Sequence, residues 1–576
     1  MIIRKATDII YFLKQKGHIF FLSLLCLFSL TLQFLWLRLD STPPSGDGIP
    51  FILRGMHFFQ LQNKLGFWAF AKEVFSFNYA YPPLIDFTYF LYYQLFGLTS
   101  EMELMVNSLY LVIGIIGVYG IGKYLFNKNT GLLSALIFIS LPGVLFYSKL
   151  GFKEFQLMCF LALTGYFLLE SKNFTNRKFS VLFGISSGLM MMTKWEGFLF
   201  LIVPLTIVLV KIISSKTLLR NGGLRGNIGL ILIIVFLIVS PWYILNWQNF
   251  FNLIRGRVGS IGREGIYFST KDLTFYLSAL RYEFLTGFYR FAFIIICICS
   301  LLKIISSKTR TKDTKRILLL CLYFAFPFLV FTFLCEKNFP HITPLLVFVS
   351  VIIAGGCSTI KNKFIKPILI CLIFLHAVNT QLMSLLTVDC NRERLPLIIK
   401  LSPIDYFLCY KPRYYPYGFW YRVTKDNWDT KLKGMLGFIK EDYYGSMFNN
   451  CNSSFKKPSV LLLVNHEPLR YFQMEYYNMK EYSPIALVNL LSEDRDAEDE
   501  IFGDKYEYII TEFPIKFIHP GEDVNIKKVL KFINDNTERF HQDYQEVGEF
   551  ELPRSSKAII YNRISSSIGG NKSILQ

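Results

Sequence analysis

The chain has 576 residues, of which 52% are hydrophobic, 17% aromatic and only 18% charged, with a formal net charge of +19. A soluble protein of this length carries more charge, and soluble domains would lack the polar surface to cover the apolar blocks seen here. The positive balance does not call for nucleic acid, because Lys and Arg gather in short loops between those blocks, the pattern that membrane topology produces; contact with lipid phosphate is a compatible second reading.

Ile19 to Trp36 and Gly229 to Trp247 contain no charged residue, and each is about the ~20 residues that a bilayer-crossing helix needs. The first block is long, and Leu37 to Pro44 lacks a small-x-small cleavage pattern, so it reads as a retained signal anchor. Spans are predicted at roughly 18–38, 104–123, 130–148, 154–170, 179–193, 197–213, 226–246, 285–304, 316–335, 341–359 and 366–386, eleven in all on helix-length grounds.

The loops then alternate in character. One set is short and basic: Arg4 to Lys16, Lys123 and Lys128, Lys172 to Lys178, Lys211 to Arg225, Lys303 to Arg316, and Lys361 to Lys366. Such loops belong on the cytoplasmic side. The other set holds 39–103, the links at Lys149–Lys153 and Lys194–Glu196, the loop 247–284, Glu336–Pro340, and everything after about 387. It mixes both signs and is rich in Tyr, Trp and Phe. Leu84 to Leu98 is apolar, but it is short and follows Pro82-Pro83, and counting it as a crossing would put the basic loops outside. It reads as an interfacial or re-entrant helix, with Phe58 to Phe75 as a second amphipathic surface helix.

The fold class is thus a polytopic α-helical membrane protein, residues 1–387 with a long first outer loop 39–103, followed by a small mixed α/β domain, 388–576, outside the cytoplasm. In the latter, Ser459 to Val464, Glu507 to Ile510 and Ala558 to Tyr561 read as strands, Pro468 to Tyr477 and Lys527 to Asn534 as helices, and Ser565 to Gln576 as a disordered tail. The 11 Cys show no zinc-type spacing; Cys390, Cys409 and Cys451 leave room for one disulfide. Asn452 and Asn571 match the short N-glycosylation pattern.

Several ionisable residues fall at the outer ends of the spans: Asp47, Asp86 after Tyr81-Pro-Pro, Glu154 after Lys149-Leu-Gly-Phe-Lys, Lys194 and Glu196, and Glu336 to His341. Singly each has an ordinary explanation: a turn for Asp47, the helix dipole for Glu154, snorkelling for Lys194. Together they point to a site, because ionisable groups near the membrane are costly.

In order along the chain stand Gly46-Asp-Gly-Ile-Pro, Tyr81-Pro-Pro-Leu84, Tyr147-Ser-Lys-Leu-Gly-Phe-Lys-Glu154, Gly184-Ile-Ser-Ser-Gly-Leu-Met-Met-Met-Thr-Lys194, Lys337-Asn-Phe-Pro-His-Ile-Thr-Pro344 and a terminal segment Phe550 to Arg563. This series resembles the GT-C glycosyltransferases, in the clan of bacterial aminoarabinose transferases and protein O-mannosyltransferases, over most of 17–386 and loosely beyond. Glu154 stands where the clan usually has Asp, His341 where Tyr is common, and no Glu-Lys pair precedes the Pro-Pro.

The resemblance implies a glycosyltransferase using a polyprenyl-phosphate sugar donor, with inversion, at the outer face of a cell membrane; the acceptor is a lipid, a glycan or a protein. Asp47 and Glu154 are then the catalytic carboxylates, Asp47 as base. Lys194 and Lys337 hold the donor phosphate, with Arg255, Arg257 and Arg263 behind them. Tyr81, Asp86, Glu196 and His341 bind substrate. Oxygen ligands at Asp47 and Glu154 would suit a divalent Mg or Mn ion, as some GT-C enzymes use. The competing readings are a transporter or lipid flippase, which would place ionisable groups at mid-span or show internal repeats, a polysaccharide polymerase or ligase, and a membrane scaffold.

Overall fold

The computed structural model describes residues 2–39, 48–76, 81–98, 103–219, 222–252, 255, 270–305, 311–333, 338–385, 428–448, 457–464, 471–480, 485–489, 497–502, 506–513, 524–552 and 556–564. The chain divides into two compact units, one of residues 1–40, 57–95 and 101–424, the other of 41–56, 96–100 and 425–576.

The larger unit is helical. Its elements are α1 (Ile2–Leu39), α2 (Ile49–Gln62, shared with the second unit), α3 (Phe67–Ser76), α4 (Leu84–Phe96), α5 (Val106–Leu125), α6 (Lys128–Ser140), α7 (Pro142–Ser148), α8 (Lys153–Glu170), α9 (Arg177–Thr193), α10 (Leu199–Ile213), the single turn α11 (Lys216–Leu219), α12 (Gly222–Leu245), α13 (Thr270–Ala279), α14 (Gly287–Ile305), α15 (Lys312–Phe333), α16 (Leu346–Ser358) and α17 (Ile365–Met383). Helices occupy all eleven predicted spans. Among the described residues, seven of them are by length and composition long and apolar enough to cross a membrane, and the bent pair α6–α7 makes eight. Of the rest, α9 has 17 residues and α8 carries Lys153, Glu154 and Glu170 in its 18.

The bend of 61° between α6 and α7 follows from Pro142. Proline has no N–H to continue α6 and disfavours helical geometry in the residue before it; Leu141 is accordingly extended (φ −66°, ψ 128°), and Pro142 opens α7. One expectation fails. Phe58 to Phe75 is not one helix but two, because the chain turns through Asn63 to Gly66, with the Lys64 and Leu65 N–H groups both donating to the Leu61 carbonyl. Glycine and asparagine are poor helix formers, and α3 restarts beyond them with Phe67 and Trp68 exposed. Helix α4 has 13 residues, about 20 Å of rise and short of the ~30 Å hydrocarbon core. It stops at Gly97, whose φ of +76° is a conformation glycine adopts at no steric cost.

Helices α5 and α8 pack backbone to backbone. A Cβ on Gly117 would lie 2.4 Å from main-chain atoms of Ala162 and Leu163, and one on Gly120 2.3 Å from the Tyr166 ring. Small residues at such spacing let membrane helices approach closely, and here they fix where α8 begins.

The second unit contains a five-stranded sheet in the order β2-β1-β3-β5-β4, with β1 Ser459–Leu463, β2 Ala486–Asn489, β3 Tyr508–Phe513, β4 Tyr544–Leu552 and β5 Ser556–Arg563. Strands β1, β2 and β3 run parallel, while β5 is antiparallel to both β3 and β4. The three predicted strands, both predicted helices and the terminal hairpin are present; β2 and the helices Trp428–Phe448, Ala497–Phe502 and Thr537–Asp543 are additions. The amphipathic helix Val524–Asp535 buries Ile526 and Val529 against Leu461, Leu463 and Ile509. Asp442 accepts hydrogen bonds from the Tyr508 hydroxyl (2.6 Å) and the Asn562 amide (2.9 Å), and burial, then Asp442, pushes the Tyr508 phenol up. Cys390, Cys409, Cys451, Asn452, Asn571 and the 565–576 tail lie outside the described residues.

Candidate functional site

Three chain breaks bring the site together. Helix α8 starts after an extended Phe152 with no side-chain cap and has Glu154 in its first turn, where the helix dipole favours an anion. Helix α9 ends at Thr193, and Lys194 is extended (φ −155°, ψ 130°) before a 3-10 turn, Trp195–Phe198, leads into α10. The third is the 3-10 turn Phe339–Leu345 before α16; its Pro340 and Pro344 limit the hydrogen bonds an α-helix would need.

At their junction the Lys194 ammonium lies 2.9 Å from Glu154 Oε1 and 2.6 Å from Glu196 Oε2, and 3.4 Å from His341 Nδ1. The His341 ring stacks on Phe331. The lysine is 2% exposed and both glutamates are buried, so this is an ion triad sealed from water. Burial works to lower the Lys194 pKa, but Glu154 and Glu196 outweigh it and hold the ammonium above the ordinary lysine range. Tyr81 completes the group: the Lys153 ammonium lies on its ring face, and that of Lys194 is 5.9 Å from the ring centre. The lysine donates to Glu154, faces His341 Nδ1 and pairs by charge with Glu196.

A second network holds the segment leading into Glu154. The Asn107 amide donates to the carbonyls of Ser148 (3.0 Å) and Leu150 (2.6 Å) and accepts from Gln156 (2.7 Å). Gln33 donates to the Ser148 carbonyl at 3.0 Å. Lys149 donates to the Ser384 carbonyl at 3.0 Å and sits 4.9 Å from the Trp36 ring centre. Asn107 and Gln156 are fully buried. Asn107→Leu would leave the Leu150 carbonyl and the Gln156 amide without these partners, each costing about 1–3 kcal/mol, while the Ser148 carbonyl keeps Gln33. The expected outcome is a lower unfolding temperature in detergent, together with weakened activity; an unchanged melting curve would remove the network from any positioning role.

Of the residues singled out from sequence, Tyr81, Glu154, Lys194, Glu196 and His341 are brought together. Asp86 is buried in the first turn of α4 and acts electrostatically on Tyr89. Arg255 is exposed. Asp47, Lys337, Arg257 and Arg263 lie outside the described residues. Asn107 and Gln156 were missed, and Lys149 and Lys153 were noted within their cluster but given no role. The signal for Asn107 and Gln156 was a polar amide inside an otherwise apolar block; Lys149 and Lys153 stand within the motif that ends at Glu154. Among the described residues no group of three or more His, Cys, Asp or Glu is arranged to hold a metal ion. Among the described residues Lys194 and Lys153 act on Glu154, and Asp47, the other carboxylate expected at a divalent ion, lies outside them.

Residues 80–244 match the family model described as dolichyl-phosphate-mannose-protein mannosyltransferase, a stretch that includes Tyr81, Glu154, Lys194 and Glu196. No curated protein sequence matches the chain. Among solved structures, ArnT from Cupriavidus metallidurans in the apo state is similar over 95% of this chain and 99% of its own, at 11% identity and a TM-score of 0.53. The same protein bound to undecaprenyl phosphate gives 12% identity and a TM-score of 0.50, over 96% of this chain and 100% of that one. The oligosaccharyltransferase of Archaeoglobus fulgidus, tethered to an acceptor peptide, is similar over 96% of this chain and 75% of its own, at 12% identity and a TM-score of 0.54. The chain is a multi-pass helical membrane protein with the GT-C glycosyltransferase fold.

Proposed function

We propose that the chain transfers a sugar from a polyprenyl-phosphate donor to an acceptor hydroxyl on the non-cytoplasmic face of the membrane, with inversion. The observation that carries this reading is the buried Glu154–Lys194–Glu196 triad with His341 and Tyr81. The fold's neighbours support it, since one binds undecaprenyl phosphate and another an acceptor peptide.

In this reading the acceptor oxygen attacks the anomeric carbon from the side opposite the phosphate. Its proton passes to a carboxylate as the new C–O bond forms, and the bond to phosphate breaks with its electron pair staying on the leaving polyprenyl phosphate. Asp47 takes the proton and Glu154 orients the acceptor or the sugar, within hydrogen-bond reach. Lys194 pairs with Glu154 and meets the leaving phosphate by exchanging one of its present partners, while Lys337, Arg255, Arg257 and Arg263 supply further charge along the path. Glu196, His341, Tyr81 and Asp86 shape the substrate side. In this reading the charge pattern of the loops puts residues 388–576 outside the cytoplasm.

Asp47→Asn tests the base. Transfer should fall by about 10²–10⁴-fold in membranes where the variant accumulates normally. Near-normal transfer would move the base role to Glu154.

A further inference from the structure

A groove of about 870 Å³ runs between α1, α6, α16 and α17, entirely within the larger unit. Its wall is apolar along most of its length, with Phe21, Leu133, Leu136 and Phe374 among the lining residues. Its polar groups fall at the two ends. Lys366, Ser358, Asn127, Asn129 and Thr130 stand at one, Gln381 at the other. Lys366 and Gln381 lie fifteen positions apart on α17, about 22 Å of helix rise. One leaflet supplies ~15 Å of hydrocarbon, so a fatty acyl chain with its glycerol matches the groove in length.

The end with Lys366 is where α6 and α17 begin and α16 finishes, so its connecting loops are those of Lys123 and Lys128 and of Lys361 and Lys363. These are the short basic loops of the positive-inside pattern. The site of the triad belongs to the opposite set of loops, those at Lys149–Lys153, Lys194–Glu196 and Pro340. Among the described residues the Lys366 ammonium donates a long hydrogen bond, 3.4 Å, to the Ser358 carbonyl, a contact that a phosphate oxygen readily replaces. A cation at one end of an apolar channel one leaflet deep complements a lipid with an anionic head and an apolar tail.

We propose that this groove binds one anionic phospholipid of the basic-loop leaflet, its phosphate at Lys366 and an acyl chain between α6 and α17. The occupant is a resident of the fold rather than the sugar donor.

Native mass spectrometry of the full chain in detergent, with phosphatidylglycerol or phosphatidylcholine added, tests it. The wild type should retain phosphatidylglycerol about five-fold more than phosphatidylcholine, the preference that one lysine near a charged headgroup provides. Lys366→Gln should bring retention down to the phosphatidylcholine level. Leu136→Trp, which fills the channel from a half-exposed position on α6, should lower retention of both lipids. Equal retention of the two lipids by the wild type, or undiminished preference in Lys366→Gln, would overturn the proposal. So would displacement of phosphatidylglycerol by an equal concentration of polyprenyl phosphate, which would give the groove to the donor's tail.

Discussion

Glu154→Gln should abolish sugar transfer while leaving the protein folded. The substitution keeps the side chain's shape and removes one negative charge, and Lys194 keeps Glu196 as its buried ion-pair partner. A carboxylate that orients or deprotonates an acceptor contributes about 10²–10⁴-fold, and transfer should drop within that range. Glu154→Asp should retain measurable transfer, because an aspartate keeps the charge at the cost of one methylene. The readout is label transfer per folded protein, with folding followed by size-exclusion chromatography in detergent. If Glu154→Gln transfers sugar at the wild-type rate, Glu154 is structural only and the triad is a packing device.

Lys194→Met should act on stability before activity. The lysine lies within salt-bridge distance of both Glu154 and Glu196, and all three side chains are buried. Its removal leaves two carboxylates facing each other out of water. Breaking a buried ion pair by removing one partner costs about 3–5 kcal/mol, a large part of a typical folding free energy. The variant should therefore unfold at a markedly lower temperature or accumulate poorly. Adding Glu154→Gln and Glu196→Gln should restore much of the lost stability, since neutral amides carry no charge to compensate; groups in direct contact couple in this non-additive way. Restored stability without restored transfer would separate the structural share of Lys194 from its chemical one. A Lys194→Met protein as stable as wild type would contradict the sealed-triad description.

The fold was legible in the sequence where hydrophobic length decides it. Every predicted span holds a helix, and the basic loops fall between them. The division of Phe58 to Phe75 was not legible, because its apolar periodicity continues through a turn that a glycine and an asparagine merely permit. In the second unit, β1, β3 and β5 are dense in β-branched and aliphatic residues, and their interiors show it. Strand β2 has four residues, too few for a pattern. Strand β4 was sensed only as part of the terminal hairpin: it carries Glu546, Glu549 and Glu551, and its register shifts between Glu546 and Gly548, which breaks the alternation. The helix Trp428–Phe448 contains Gly434, Gly437 and Gly445, each unfavourable to a helix by about 1 kcal/mol, and so gives a weak signal.

For the site, residue types at span ends singled out Glu154, Lys194, Glu196, His341 and Tyr81. What sequence did not reveal was their pairing. Glu154 and Lys194 are 40 positions apart, and their contact depends on how closely α5, α8 and α9 pack, which Gly117 permits by having no side chain. The Asn107–Gln156 network was hidden for a similar reason. Each amide alone is only a polar residue in an apolar block, and its meaning lies in the Ser148 and Leu150 carbonyls that the bend at Pro142 delivers to it.

The most direct test of the central claim is sugar transfer itself. Membranes expressing the wild type, or Glu154→Gln at matched abundance, are incubated with a panel of radiolabelled polyprenyl-phosphate sugars. Label moving to an endogenous acceptor with the wild type, and not with Glu154→Gln, is the predicted result. Absence of transfer from every donor, by a wild type that is abundant and folded, would contradict the claim and turn attention to a transport or scaffold role for the same fold.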